Sequence, residues 1–324
     1  MQYHIYVLRT YIWYCFYLMD IRTALTLELG DLHQPVVTSY HLGLLVFRLY
    51  KTKTYRGEPI ARLSKSYPER SDYRRFVGSL EHSGVLRNTT AVPNKEVFIL
   101  LGKDISSAEE IACCVDPFAY VSHLSAMEYH GLTDRFPKTL FITAPPPVRW
   151  SQLAVEKMRK DIGGEFYSSY LDANLPRLRR LRLPKINRKT VSLFTTVHYD
   201  PGAYLSIQGK TLRVSTIGRT FLDMIREPDL CGGIYHVLDV FAEHAPRYLR
   251  LIVDKVDRHG SPIDKVRVGY ILEERLKLEH PTIATWRAYA KRGGSRKLLA
   301  QADYSPRFSE TWCLSINIDE PEEA

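Results

Sequence analysis

In the stretch SDYRRFVGSLEHSGVL, starting at Ser71, four apolar residues, Tyr73, Phe76, Val77 and Leu80, stand at i, i+3, i+4 and i+7. That spacing gathers apolar side chains on one face of an α-helix. Arg74, Arg75, Gly78 and Glu81 are left on the other face. Ser71 or Asp72 is placed to cap the first turn, and Gly84 to end the helix in a left-handed conformation. Two β-rich runs follow, Val85 to Thr89 and Val97 to Leu101, around a Pro-Asn turn, the pattern of a hairpin. Upstream, Ile21 to Leu29 reads as a short helix, and Leu42, Leu45, Val46 and Leu49 mark a second that begins at Thr38. Helix, helix, helix, hairpin is the order of a winged helix-turn-helix. The link from Thr52 to Arg70 is longer than the tight turn of that motif, and its five basic residues are candidates for phosphate contact.

The pattern changes at Ala108. SAEEIACCVDPFAYVSHLSAMEYHGL opens with a serine and two glutamates and stays helix-favouring to Gly131, so a domain boundary is expected near 107. KTLFITAPPP reads as a strand stopped by prolines, and Trp150 to Gly163 as a helix. Val191 to His198, Ala203 to Ile207 and Leu212 to Thr216 are separated by turn signals, which suggests an antiparallel meander. The helical segments IGRTFLDMIREP, GGIYHVLDVFAEHA, RYLRLIVDKVDRHG and SPIDKVRVGYILEERL come next, with Val266, Val268, Tyr270 and Ile271 expected in the core. A last strand is expected around Trp312 to Ile316. The fold class is therefore α+β: an N-terminal winged helix-turn-helix over 19–107, then a larger mixed α+β domain over 108–324.

Composition and charge narrow the partners. The chain has 324 residues, 45% of them hydrophobic, enough for two ordinary cores. A formal net charge of +9 favours an anionic partner. From Asp20 to Lys103 there are 13 Lys or Arg against 8 Asp or Glu, a surplus of 13 − 8 = +5, which suits double-stranded DNA. An α-helix fits the major groove, where an arginine hydrogen-bonded twice to guanine gives about 1–3 kcal/mol of discrimination. Arg74 and Arg75 are the candidates for that contact, with Ser71, Ser79, Arg87 and Lys95 completing the DNA-binding set. Arg177 to Lys189, RLRRLRLPKINRK, holds seven basic residues and no acidic one. Leu178, Leu181 and Leu183 alternate there with arginines, the pattern of an exposed strand or edge segment. Arg177, Arg179, Arg180 and Arg182, with Arg296 and Lys297 of RGGSRK, form a candidate second basic surface.

Other chemistries find little support. Five cysteines occur without a CxxC pair or regular spacing, which points to neither a zinc ribbon nor a disulfide framework and suits a reducing cytoplasm. His123 and His130 lie seven apart on one expected helix, with no third ligand to complete a metal set. There is no P-loop, GxSxG, HExxH or kinase motif. The nearest catalytic idea, a nuclease built on Asp200, Asp223, Asp254 and Lys255, has no spacing that assembles it, and Arg219 with Asp223 reads as a surface i, i+4 ion pair or a cap-region contact. Neither a metal nor a cofactor is expected, and the chain is not read as an enzyme. The aromatic leader 1–18 is too short to span roughly 30 Å of hydrocarbon comfortably and lacks a signal-peptide cleavage site. Met19, directly before the first helix, is the expected translation start; the alternative reading of the leader is an apolar helix docking on the domain or a membrane-surface anchor, and no membrane partner is expected.

Several motifs in order carry a resemblance: the winged helix, DPFAYVSHLSAMEYHGLTDRFPKTLFIT, LRVSTIGRTFLDMIREPDLCGG, DKVRVGYILEERL, RGGSRK and ETWCLSIN. Together they resemble the AbiEi family, antitoxins of type IV toxin-antitoxin systems, over almost all of the chain after Met19. The resemblance implies that the winged helix represses its own operon by binding repeats in the promoter. It also implies that the C-terminal domain counters a toxin resembling a nucleotidyltransferase, without requiring a stable complex. The alternative is a stand-alone winged-helix transcriptional regulator whose C-terminal domain binds a ligand or dimerises.

Overall fold

A computed structural model describes residues 19–88, 90–103, 107–291 and 296–319. The leader, and with it the choice between Met1 and Met19, lies outside them. The fold is α+β.

The first unit runs α1 (Ile21–Gly30), β1 (Val36–Thr38), α2 (Ser39–Thr52), α3 (Arg70–His82), β4 (Leu86–Arg87) and β5 (Val97–Leu100), with a small hairpin, β2 (Thr54–Tyr55) and β3 (Glu58–Pro59), between α2 and α3. The three longer-range strands form an antiparallel sheet ordered β1-β5-β4. Three helices backed by such a sheet are the winged-helix arrangement that the hydrophobic period indicates. Asp20 and Thr38 cap α1 and α2 by accepting from Thr23 N–H and His41 N–H. The cap of α3 corrects the sequence reading: it is Glu69 rather than Ser71 or Asp72, and Asp72 turns inward to accept from the Glu69 N–H at 3.0 Å. Gly84 has the expected left-handed backbone, φ +75°.

The long link is ordered. Arg56 and Gly57 both have positive φ, as a two-residue hairpin turn requires. The hairpin buries Tyr55 and Ile60 in the winged-helix core, and Arg56 pairs with Asp31 at the end of α1. Lys65 pairs with Glu69 and Asp72, so these two of the five basic residues are already engaged.

In the second unit the single helix expected from Ala108 to Gly131 is corrected to three elements in succession, α4 (Ala108–Val115), β6 (Tyr120–Val121) and α5 (His123–Tyr129). Pro117 cannot donate a helical hydrogen bond, and Asp116 before it is extended, φ −108° and ψ 105°. His123 and His130 therefore do not share a helix face: His123 is buried at the start of α5, and His130 caps its end and bonds the Ser215 carbonyl. Among the described residues no group of three His, Cys, Asp or Glu could hold a metal.

Then come β7 (Thr139–Ala144), α6 (Pro147–Ile162), α7 (Tyr167–Asp172), β8 (Lys185–Ile186), β9 (Lys189–Thr195), β10 (Tyr204–Ser206) and β11 (Arg213–Ser215). They make a mixed sheet ordered β10-β11-β6-β7-β9-β8. The meander is thus corrected to a single β10-β11 hairpin, because β9 pairs in parallel with β7 along six residue pairs and lies far from β10. The last part holds α8 (Ile217–Arg226), α9 (Ile234–His259), α10 (Pro262–Gly269) with a π-helical turn over 270–275, α11 (Pro281–Trp286), and the pair β12 (Phe308–Ser309) and β13 (Leu314–Ser315). Two helices expected on either side of Pro246 are one, α9, whose inward face buries Phe241, Ala245, Ile252 and Val253 across the proline. Val266, Val268, Tyr270 and Ile271 are buried, as the pattern indicates.

Packing does not divide at residue 107. One core joins α1, α2 and α3 to Met158, Ile162, Tyr170 and Leu175 from α6, α7 and the residues after them. A second joins the outer face of the winged-helix sheet, Val36, Val97 and Ile99, to α4 and to Leu140, Ile142 and Val214 of the mixed sheet. A third lies among α8–α11 and β12–β13 around Phe221, Phe241, Trp286 and Trp312. No helix among the described residues is long and apolar enough to cross a membrane.

Candidate nucleic-acid interface

The α3 period decides what this helix presents. Tyr73, Phe76, Val77 and Leu80 face the core together with Asp72. Ser71, Arg74, Arg75, Gly78 and His82 are exposed on the opposite side. A Cβ added at Gly78 would meet nothing within 4 Å, so the centre of this face is open.

The two candidate arginines differ. Arg74 makes no hydrogen bond or ion pair among the described residues, and its guanidinium is available to a ligand. Arg75 donates to Asp72 Oδ1 at 2.9 Å and lies over the Phe76 ring, 4.9 Å from the centroid. Burial pushes the Asp72 carboxyl up, but the Glu69 N–H and the charges of Lys65 and Arg75 outweigh it and hold it below its ordinary value. Asp72 therefore keeps its negative charge, and Arg75 is tethered to it.

The other expected contacts are distributed unevenly. Ser71 stands in the first turn, its hydroxyl 3.4 Å from Glu69. Ser79 is turned to the flank, where its hydroxyl faces Arg22 of α1 at 3.5 Å. Arg70, one of the five basic residues of the link, is exposed on this surface one turn before Arg74. Arg22, also exposed, joins it although the sequence did not single it out, and arrives only because α1 packs beside α3. Arg87 on β4 and Lys95 at the end of the wing are exposed.

The wing is anchored to the second unit. Val92 is buried in the shared core, the Asn187 N–H donates to the Ala91 carbonyl at 2.7 Å, and Asn94 donates to the Arg182 carbonyl at 3.3 Å. This changes the reading of the arginine-rich stretch. Up to residue 184 it is an extended strap with no strand ladder, and strand begins only at Lys185. Leu178 packs into the winged-helix core, and Leu181 and Leu183 into the shared one. Arg179 pairs with Glu96 of the wing and Arg180 lies 3.5 Å from Asp116. These two arginines hold the strap in place, while Arg177 and Arg182 are exposed. Of RGGSRK, residues 292–295 lie outside the described residues; Arg296 donates to the Tyr289 carbonyl and Lys297 to the Ala302 carbonyl. The second basic surface is therefore not one patch: four of its six candidates are engaged within the protein.

No family model matches the chain, and no curated protein matches it. Among solved structures it is similar to the crystal structure of the RV2827C protein from Mycobacterium tuberculosis, with 12% sequence identity, a TM-score of 0.44, and coverage of 90% of this chain and 89% of that one.

Proposed function

We propose that this chain is a transcriptional autorepressor and antitoxin. In this reading the winged helix binds repeats in its own promoter, and the C-terminal part counters a nucleotidyltransferase-like toxin without needing a stable complex. The observation that supports it most is the outer face of α3. A helix buried on one side presents Ser71, Arg74, open Gly78 and His82 to solvent, with Arg74 uncommitted. In the major groove, Arg74 reads guanine O6 and N7, and Gly78 lets the helix approach closely. Ser71 contacts a phosphate, and Arg87 and Lys95 on the wing hold the backbone on either side.

Fluorescence anisotropy of the protein on its own upstream DNA across a salt series tests the repressor half. Arg74→Ala is expected to weaken binding and relax sequence preference. Lys95→Ala is expected to weaken all sequences alike and to lower the salt slope by about one. Equal, weak binding to every sequence would remove this half of the reading. Co-expression with an adjacent nucleotidyltransferase-like gene tests the other: rescue of growth supports the antitoxin, and unrelieved toxicity leaves the stand-alone regulator.

A further inference from the structure

The C-terminal half holds a polar cleft of about 240 Å³ that the DNA-binding reading does not use. Its floor is α8, where Arg219, Asp223 and Arg226 fall at i, i+4 and i+7 on one face, with Glu227 as the non-helical residue that ends the helix; α10 and the end of β9 close it with Asp264, Arg267 and Phe194. A surface helix normally turns such a polar stripe to water. Here it faces inward, so the surface ion pair expected of Arg219 and Asp223 is corrected: they are 2% and 4% exposed. A buried ion pair pays a desolvation penalty that packing alone does not require.

The hydrogen bonding around this cleft is incomplete. Asp223 Oδ1 accepts from Arg219 Nε at 2.7 Å, while Oδ2 is buried and has no partner among the described residues. Arg226 gives Nε and Nη2 to Asp264 at 2.9 and 2.8 Å, while Nη1 is likewise buried without one. Glu227, half-buried just past the end of α8, has no hydrogen bond or ion pair to its carboxylate among the described residues, and burial, then Asp223 and Asp229, push its carboxyl up. Three arginines balance three carboxylates in the cleft wall, so net charge selects neither an anion nor a cation. What remains in the lining is two carboxylate acceptors without partners among the described residues, Asp223 Oδ2 and Glu227, one such donor, Arg226 Nη1, and the Phe194 ring.

We propose that this cleft binds the edge of a guanine base, a neutral planar group with two adjacent N–H donors beside a carbonyl. Asp223 Oδ2 and Glu227 accept from N1–H and the 2-amino group, Arg226 Nη1 donates to O6, and Phe194 lies against the ring. Adenine, whose edge offers one donor beside a ring-nitrogen acceptor, leaves buried groups unpaired and is rejected. The cleft is smaller than drug-sized pockets of about 300–1,000 Å³, so it holds the base and leaves the sugar outside.

Isothermal titration of the full chain with guanosine, inosine and adenosine tests this, with thermal melting of every variant alongside. Guanosine is expected to bind, and inosine, which lacks the 2-amino group, and adenosine to bind about tenfold or more weakly. Asp223→Asn disturbs a buried pair and can unfold the protein, so Glu227→Leu carries the test: it is expected to weaken guanosine about tenfold with the melting temperature retained. Arg74→Ala is expected to leave guanosine binding unchanged, which separates this inference from the promoter reading. Absence of guanosine binding at millimolar concentration, equal affinity for adenosine, or an unchanged affinity in Glu227→Leu would overturn it.

Discussion

Adjacent arginines on α3 illustrate how little residue type says about role. Arg74 and Arg75 share a charge and an exposed position, yet Arg75 is bound to Asp72 and stacked on Phe76 while Arg74 is free. Arg74→Ala is therefore expected to weaken promoter binding with stability unchanged within about 0.5 kcal/mol, as for a surface residue without partners. Arg75→Ala is expected to lower stability slightly as well, by no more than about 1 kcal/mol for an exposed pair; urea denaturation beside anisotropy separates the two effects. Gly78 pays the entropic cost of a mid-helix glycine with nothing packed against it. Gly78→Ala is expected to raise stability by about 0.5–1 kcal/mol in the same denaturation experiment. The buried pair lies at the other extreme, and Arg219→Ala, which strands the Asp223 charge, is expected to cost about 3–5 kcal/mol.

At the scale of elements, chain chemistry set most boundaries where it acts locally. Asp20 and Thr38 start their helices, Gly84 ends one, and Pro117 breaks the segment expected to be a single helix. Where partners decide, local signals misled. Pro246 marks a break in the sequence, but apolar contacts on both sides of it keep α9 continuous. The strap from Arg177 has the alternation of a strand, but its leucines enter two different cores and its backbone joins no ladder. The contact of α10 with the terminal β-pair is equally non-local: a Cβ on Gly269 would stand 2.2 Å from the buried Trp312 ring. Gly269→Ala is expected to cost at least about 1–3 kcal/mol of stability, read as a lower midpoint in chemical denaturation.

For the molecule as a whole, the interlocked cores mean that the winged helix does not own its interior. A fragment ending at residue 103 exposes the faces that meet Met158, Ile162 and Tyr170 on one side and α4 on the other. It is expected to lose the sharp melting transition of the full chain, measured by circular dichroism. Stability also has a pH dependence: burial lowers the proton affinity of His41, His123 and His130 below the ordinary value of 6.5. The unfolded chain then binds more protons than the folded one in that range, so stability is complete above about pH 6.5 and declines as the pH falls below it. Melting temperatures between pH 7.5 and 5 check this sign. Helical period, caps and turn residues act over a few positions, and they alone determined the winged helix, the inner and outer faces of α3, the α+β class and most helices of the second unit. The order of the mixed sheet, the burial of Arg219 and Asp223, the difference between Arg74 and Arg75 and the anchoring of the wing were decided only by the tertiary structure. Each depends on a group brought close from far along the chain, and burial, the quantity that sets the energy of a charge, exists only once those groups have met.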